Sequence, residues 1–351
     1  MLARSRSNSR SGSHRLAALS ILVGVALLVA ACRPLPGSSR APTLIPTRTL
    51  SKLSVGLGYL PSVQFAPFYL AQQSRAYEGA GLEVTFENRI DPDLVTLVGQ
   101  GALDIGVADG TSVIPAVSQG IPIKYVATIY GRYPSIVFAK ASAGIRTAAD
   151  LEGKKIGIPG RYGSSWIMLQ ALLDSAGLTP EDVEIVEYPD FGQGVAVQQD
   201  AVDAATGFAN NEPVQLELEG IDTVVLHIDD VIALPGPGLI SGTAMLDANN
   251  NAVAQFISTT LSAMEEIAAN PEKGLDAAIV AVPELAANRE TQAAILDATI
   301  ATWAPPGGGP LGTIDEAGWE ASVAYLETLG LVPNPVSLDR LVQEVGILPV
   351  D

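Results

Sequence analysis

A short run of small and polar residues, Gly-Arg-Tyr-Gly-Ser-Ser at 160–165, has the residue types of a ligand-binding loop. The stretch before it predicts a strand and the stretch after it a helix, so Ser164 or Ser165 would cap that helix. Backbone N–H groups in the first turn of a helix have no partner within it and bind ligand oxygens. A nucleotide P-loop is excluded because the Lys-Ser/Thr pair is missing. The run therefore indicates a small-molecule site that includes Tyr162, Gly163, Ser164 and Ser165.

Polar and aromatic residues also follow the other predicted strands. In an open α/β sheet, ligands lie beyond the carboxyl ends of the strands, so these residues are candidates for the same site. They are Tyr59, Ser62 and Gln64 after the first strand, Asp109 and Thr111 after the third, Tyr130 after the fourth, and Tyr188, Asn210 and Glu212 after later strands. The sequence thus predicts a site assembled from several loops.

Several of these candidates have two interpretations. Tyr59 offers a ring face and a hydroxyl group to a flat heterocycle, and Asn210 can donate and accept hydrogen bonds at once, as an imide edge requires. Asp109 either accepts a hydrogen bond from a ligand or caps the next helix. Glu212 either contacts the ligand on closure or caps a helix, and Tyr130 either faces the ligand or lies on a solvated connecting strand.

Catalysis and metal binding have little support in the residue types. The chain has one cysteine and two histidines, too few for disulfides, a zinc cluster or a cysteine–histidine pair. His227 precedes Asp229 and Asp230, but adjacent strand residues point to opposite faces and do not form a ligand set. We therefore expect no catalytic residue, no metal and no cofactor. A sensor or adhesive surface protein has no positive support.

The charge balance excludes one class of partner. The chain has 20 Lys+Arg against 38 Asp+Glu, a formal net charge of −18, whereas a nucleic-acid binder needs a basic face. Hydrophobic residues make up 48% and charged residues 17%, which predicts a folded chain with a sizeable core. We therefore expect a small-molecule ligand and no nucleic acid.

The hydrophobic pattern predicts an α/β fold. From residue 53 onward, short apolar strands alternate with helices, and a second, similar alternation begins near residue 147. Residues 234–238, Leu-Pro-Gly-Pro-Gly, predict a crossover or hinge. After residue 252 the pattern predicts mostly helices, the last over 337–345. We expect two α/β units with a cleft between them, the second inserted into the first.

The N-terminus has the pattern of a secretory signal. Residues 1–31 begin with four arginines and continue with an apolar stretch that is short for a membrane span. Leu-Val-Ala-Ala-Cys at 28–32 resembles the bacterial lipobox, in which cleavage precedes a lipidated cysteine, here Cys32. The alternative is a buried cysteine in an uncleaved anchor helix. Residues 32–52 are rich in proline and predict a spacer. We expect a lipid-anchored protein on the extracytoplasmic face of the cell membrane.

Five segments together resemble a known family. They are Gly-Tyr-Leu-Pro-Ser-Val-Gln-Phe-Ala-Pro-Phe-Tyr at 58–69, Gly-Leu-Glu-Val at 81–84, Ala-Leu-Asp-Ile-Gly-Val-Ala-Asp at 102–109, Asp-Leu-Glu-Gly-Lys-Lys-Ile-Gly at 150–157 and Gly-Phe-Ala-Asn-Asn-Glu-Pro at 207–213. The chain is similar to substrate-binding proteins of ABC importers, in the group with nitrate, taurine, alkanesulfonate and thiamine-pyrimidine binders. The first segment resembles riboflavin-uptake lipoproteins of that group.

The resemblance implies a two-lobed periplasmic-binding-protein fold of type II character with a helical C-terminal part. Lobe one would comprise residues 53–139 and 242–351, and lobe two residues 140–241. The implied partners are an ABC permease and its ATPase, with the membrane reached through the lipid. The implied ligand is a vitamin-type heterocycle, riboflavin first. A thiamine pyrimidine precursor is the alternative, followed by a sulfonate or nitrate anion.

Overall fold

Two five-stranded sheets organise the chain, which we analysed as a computed structural model. The structure describes residues 49–89, 93–232, 234–305 and 307–346. Within them the strands are β1 Ser51–Leu57, β2 Leu82–Asn88, β3 Ile105–Ala108, β4 Ile123–Thr128, β5 Ser135–Lys140, β6 Lys155–Ile158, β7 Glu184–Glu187, β8 Ala204–Phe208, β9 Thr223–His227 and β10 Gly238–Gly242. The first sheet has the order β2-β1-β3-β10-β4 and the second β7-β6-β8-β5-β9.

Helices connect these strands and form most of the C-terminal part. They are α1 Ala66–Gln73, α2 Ala76–Gly79, α3 Asp93–Gly99, α4 Gly110–Ser118, α5 Gly163–Ser175, α6 Gln193–Gln198, α7 Glu212–Leu218, α8 Thr243–Ala269, α9 Pro271–Ala281, α10 Arg289–Trp303, α11 Glu316–Thr328 and α12 Leu338–Leu341. Short 3-10 helices lie at Val63–Phe65, Ala141–Ala143, Ala148–Leu151, Pro180–Asp182, Ile228–Asp230 and Pro283–Asn288. The predicted α/β fold class is confirmed.

Each sheet contains one strand that runs against its neighbours. β10 is antiparallel to β3 and β4, and β5 is antiparallel to β8 and β9, whereas β1 pairs in parallel with β2 and β3, and β6 with β7 and β8. These two strands are the first that the chain forms after it crosses between the sheets, through residues 129–134 and 228–237. The pattern of apolar residues did not predict β10, because Gly-Leu-Ile-Ser-Gly is short and has a glycine at each end.

The sheets to which β5 and β10 belong differ from those implied by the expected domain boundaries. The expected division assigned β5 almost entirely to lobe one and β10 to lobe two, but β5 pairs within the second sheet and β10 within the first. A division that follows the hydrogen bonds places the crossings at 129–134 and 228–237 instead of at residues 139 and 241. We retain the two-lobed division as a proposal with these shifted crossings.

Helix α3 lies so close to the first sheet that two strand positions have no room for a side chain. A Cβ atom added at Gly56 would lie 2.5 Å from Cδ1 of Leu94, and one added at Gly106 would lie 2.6 Å from Cδ2 of the same residue. These glycines face each other in the β1–β3 register. The close approach buries Leu94 completely and holds the carboxyl ends of β1 and β3 in place.

Aromatic side chains pack α8 against α1 and α2, and α11 against the first sheet. Phe256 of α8 stacks on Tyr77 with ring centroids 5.1 Å apart and on Phe68 at 6.2 Å. Trp319 of α11 meets Tyr125 of β4 edge to face at 4.8 Å. The predicted last helix is shorter than expected, because Val342 is extended and forms an isolated bridge with Tyr125 after the single turn of α12.

Removal of the Phe256 ring should destabilise the fold strongly. The ring is fully buried, so Phe256→Ala leaves a cavity and is expected to cost about 3–5 kcal/mol of unfolding free energy. Urea denaturation followed by circular dichroism measures this change. Val280→Ala on α9, where the side chain is 67% exposed, is the control and should stay within about 0.5 kcal/mol of the parent. Equal effects of the two substitutions would contradict this account of the core.

Candidate ligand-binding cavity

A cavity of about 150 Å³ lies where the carboxyl ends of β1, β3, β6 and β8 face one another. Its walls come from the loops and helix starts that follow these strands, as expected for open α/β sheets. The residues that line it are Gly58, Tyr59, Gln64, Phe65, Val107, Ala108, Asp109, Tyr130, Pro159, Tyr162, Gly163, Ser164, Ser165, Phe191, Gln193, Gly207, Phe208, Asn211, Glu212 and Pro237.

Most of the site residues expected from the sequence meet at this cavity. Those that line it are Tyr59, Gln64, Asp109, Tyr130, Tyr162, Gly163, Ser164, Ser165 and Glu212. They come from both sheets, and residues as far apart in sequence as Tyr59 and Glu212 share one cavity. Their contact with a ligand remains a proposal, taken up below.

Four other expected residues lie outside the cavity wall because they serve the protein itself. The Ser62 hydroxyl accepts a hydrogen bond from the Gln64 N–H at 3.3 Å and caps a 3-10 helix. Thr111 is buried and donates to Oδ1 of Asp109 at 2.6 Å. Tyr188 is half-buried beside Gly157 and packs against the core of the second sheet. Asn210 is also buried and is described next.

Asn210 joins the two halves of the site through a buried amide. Its Nδ2 group donates to Oε1 of Gln64 at 3.2 Å and to the Thr299 hydroxyl at 2.8 Å. The Tyr130 hydroxyl donates to the same Gln64 oxygen at 3.5 Å. Asn210 follows a strand of the second sheet, whereas Gln64 follows a strand of the first and Thr299 lies on α10. Because buried polar groups need partners, this network fixes the spacing of the cavity walls.

Asp109 places a buried carboxyl group between two helix starts. Its Oδ1 atom accepts from the Ser112 N–H at 3.1 Å, which caps α4, and from the Thr111 hydroxyl. The side chain of Ser164, at the start of α5, also interacts with this carboxyl group. Burial raises the pKa of Asp109, and these hydrogen bonds oppose the rise. The carboxyl therefore faces the cavity with one oxygen already occupied.

Glu212 is a second buried carboxyl group in the cavity wall. Its Oε2 atom accepts a hydrogen bond from the Phe208 N–H at 2.9 Å. Burial raises the pKa of Glu212, and the N–H groups around it lower it only in part. The charge of this carboxyl also contributes to the raised pKa of the Tyr59 hydroxyl, although burial is the larger cause. The two carboxyl groups make the cavity rich in hydrogen-bond acceptors.

Aromatic rings form the apolar part of the wall. Tyr59 meets Phe191 edge to face with centroids 5.1 Å apart, so rings from the two sides of the cavity touch. Phe191 has a φ of 59°, a left-handed conformation that side chains other than glycine rarely adopt. Such strain is concentrated at functional sites. Tyr162 is 43% exposed and lies at the edge of the cavity, where its ring is accessible to a ligand.

Sequence reasoning missed Phe191, in the loop after β7, and Gln193, at the start of α6, which both line the cavity. Gln193 is only 2% exposed, its Nε2 group donates to the Thr206 carbonyl at 3.3 Å, and its Oε1 atom has no hydrogen-bond partner among the described residues. The loop itself was identified, since Tyr188 lies in it. The rule that ligands lie after strands selects the loop but not the residue within it that faces inward.

The chain resembles known proteins in structure and in sequence. The aliphatic sulphonate binding protein SsuA of Escherichia coli superposes with a TM-score of 0.67 at 18% identity, covering 85% of this chain and 94% of SsuA. The riboflavin-binding protein RibY of Chloroflexus aurantiacus is 32% identical over 93% of this chain and 96% of that protein. The 4-amino-5-hydroxymethyl-2-methylpyrimidine phosphate synthase of Legionella pneumophila is 28% identical over 52% of this chain and 58% of that protein.

The two sheets and their crossings give the chain the fold of solute-binding proteins such as SsuA. The chain belongs to the NMT1/THI5-like family, whose model matches residues 62–274. The family resemblance in the sequence segments is thereby confirmed, and the fold is that of extracytoplasmic binding proteins.

The predicted signal peptide, Cys32 and most of the proline-rich spacer lie outside the described residues. Among the helices that the structure does describe, none is both long and apolar enough to cross a membrane. The lipid anchor therefore remains a proposal.

Neutralising Glu212 should stabilise the protein in a pH-dependent manner. An unfolded glutamate ionises near pH 4.5, but folding raises the pKa of Glu212, so the folded state keeps its proton longer. The unfolding free energy therefore falls as pH rises above about 4.5, until pH exceeds the raised pKa. Glu212→Gln removes this loss and should add about 1 kcal/mol at pH 7 and little at pH 4.

Thermal unfolding at both pH values measures the effect. Glu320→Gln on α11 is the matched control, because Glu320 is exposed and its change should leave stability nearly unaltered at either pH. A gain at Glu212 of the same size at pH 4 and pH 7 would contradict the proposed cost of burial.

Proposed function

We propose that this protein captures riboflavin outside the cytoplasm and delivers it to an ABC permease and its ATPase. The observation that carries this proposal is a cavity lined by aromatic rings from both sheets together with amide and carboxyl groups. Tyr59, Phe191 and Tyr162 offer faces and edges for a flat heterocycle. Asn211 and Glu212 bring an amide and a carboxyl group to the same wall, and these can meet donors and acceptors on the uracil-like edge of a flavin. The 32% identity to RibY over nearly the whole chain supports the same ligand.

The second candidate ligand is a thiamine pyrimidine precursor. An aminopyrimidine is flat and carries an exocyclic amino group. This group would donate hydrogen bonds to the carboxyl groups of Asp109 and Glu212. The similarity to a pyrimidine phosphate synthase over about half of the chain supports this alternative. A sulfonate or nitrate ligand is the third candidate, and it would require a positive pocket.

We infer that the protein binds its ligand without transforming it. His227 is exposed on β9, pairs in register with Ile136 and does not line the cavity. Among the described residues, no group of three or more His, Cys, Asp or Glu side chains could hold a metal ion. Transport by such a receptor depends on closure around the ligand, because the permease recognises the closed form.

The aromatic wall predicts how riboflavin affinity responds to substitution. Loss of one stacked ring costs about 1–3 kcal/mol, so Tyr59→Ala and Tyr162→Ala should each weaken binding about tenfold. Quenching of riboflavin fluorescence measures the affinity, and co-purified flavin is visible by its absorbance. Tyr188→Ala, the matched control, removes a tyrosine that does not line the cavity and should leave the affinity nearly unchanged. Unaltered affinity in the Tyr59/Tyr162 double variant would contradict the stacking proposal.

We further propose that Cys32 carries the lipid that anchors the protein to the membrane. Cys32→Ser in the full-length chain should abolish incorporation of a palmitate analogue and release the protein from the membrane fraction. Ser39→Ala, a similar small change in the spacer, should retain both the label and the membrane association. Retention of the label in Cys32→Ser would show that the lipid is attached elsewhere.

A further inference from the structure

The carboxyl group of Asp109 occupies a position that would otherwise attract an anion. Helices α4 and α5 both begin at the cavity, and helix starts bind negative groups through free N–H groups and the helix dipole. At this point Asp109 accepts the Ser112 N–H of α4 and interacts with Ser164 at the start of α5. The protein therefore supplies its own acidic group between the two helix starts.

A second acidic group lines the same cavity, and so does a glutamine whose side-chain oxygen is unpaired among the described residues. Glu212 lies in the wall from the side of the second sheet and is also buried. The Gln193 side chain is almost completely buried, and its Oε1 atom has no hydrogen-bond partner in the described part of the chain. An unpaired buried oxygen is costly unless a donor meets it.

The nearest cations are turned to other partners. Arg161 lies 3.4 Å from the carboxylate of Glu187 and 5.2 Å above the ring of Trp166. Arg132 interacts electrostatically with Asp229, and both residues lie on the crossing segments. The residues described as lining the cavity include no lysine, arginine or histidine. The dipole at the start of α5 stabilises a nearby negative charge by about 0.3–1 kcal/mol, and the carboxyl group of Asp109 already occupies that position.

We propose that Asp109 and Glu212 make this cavity selective for uncharged ligands that donate hydrogen bonds, and that they exclude phosphorylated or sulfonated ones. The proposal deepens the function proposed above, because it names which flavins the same site accepts. A phosphate or sulfonate group would lose its hydration beside two acidic groups without a cation to replace the water. Selectivity of this kind arises from repulsion of the wrong ligand as much as from contacts with the right one.

The test compares ligands that differ in charge but not in the ring. Riboflavin, its neutral 5′-acetate and riboflavin 5′-phosphate are each titrated with the full-length protein, and binding is measured by fluorescence quenching. The phosphate should bind about tenfold more weakly, or worse, than both neutral flavins. The acetate controls for the size of the added group. Equal affinity for the phosphate and the acetate would overturn the charge proposal while the riboflavin function stands.

Substitutions assign the selectivity to the named carboxyl groups. Asp109→Asn keeps the shape of the side chain and should reduce the preference for the acetate over the phosphate about threefold or more. Glu212→Gln provides a second, independent test if the first variant folds poorly. Asp247→Asn on α8 makes the same change in net charge at an exposed position and should leave the preference unaltered. An unchanged preference in both cavity variants would overturn the role of the carboxyl groups.

A failure of the riboflavin assignment is distinguishable from a failure of the charge proposal. If no flavin binds, the same comparison uses 4-amino-5-hydroxymethyl-2-methylpyrimidine and its phosphate ester, measured by calorimetry. A preference for the neutral pyrimidine would support the charge proposal and overturn only the riboflavin function. Tighter binding of the phosphate ester, or of a sulfonate such as MOPS, would overturn the charge proposal.

Discussion

The buried hydrogen bond between Gln64 and Asn210 ties the loop after β1 to the loop after β8. Both side chains are almost completely buried, and Asn210 also donates to Thr299 on α10. Because an unpaired buried amide is costly, a displacement of one sheet relative to the other would break these bonds at a substantial penalty. The width of the cavity, the contact of Tyr59 with Phe191 and the position of Asp109 beside Ser164 all depend on this spacing.

The cavity wall contains groups that lower the stability of the fold. Asp109 and Glu212 are buried where an apolar or amide group would stabilise the fold more, and burial raises the pKa of both. The strained backbone of Phe191 adds to this cost. The stability is restored elsewhere, in the stacked rings of Tyr77 and Phe256 and in the close approach of α3 to the first sheet.

The two crossings of the chain have a structural consequence in both sheets. After each crossing, the first strand enters the new sheet against the direction of its neighbours, as β5 and β10 do. β5 pairs with β8 and β9, which follow it in the chain, whereas β10 returns to the first sheet and pairs with β3 and β4. The parallel strands of both sheets have their carboxyl ends toward the cavity, where ligands of α/β sheets lie.

The sequence by itself determined the α/β class, most of the strands and helices and the loops that form the site. These properties depend on the alternation of apolar residues and on helix caps, which are local. It also selected Tyr59, Asp109, Tyr162 and Glu212, which line the cavity. The tertiary structure alone decided that Gly-Leu-Ile-Ser-Gly forms β10, because the partners of that strand, β3 and β4, lie more than a hundred residues earlier in the chain. It likewise decided that Asn210 faces Gln64 and Thr299 while Gln193 faces the cavity, since the direction of a loop side chain is fixed by contacts distant in sequence.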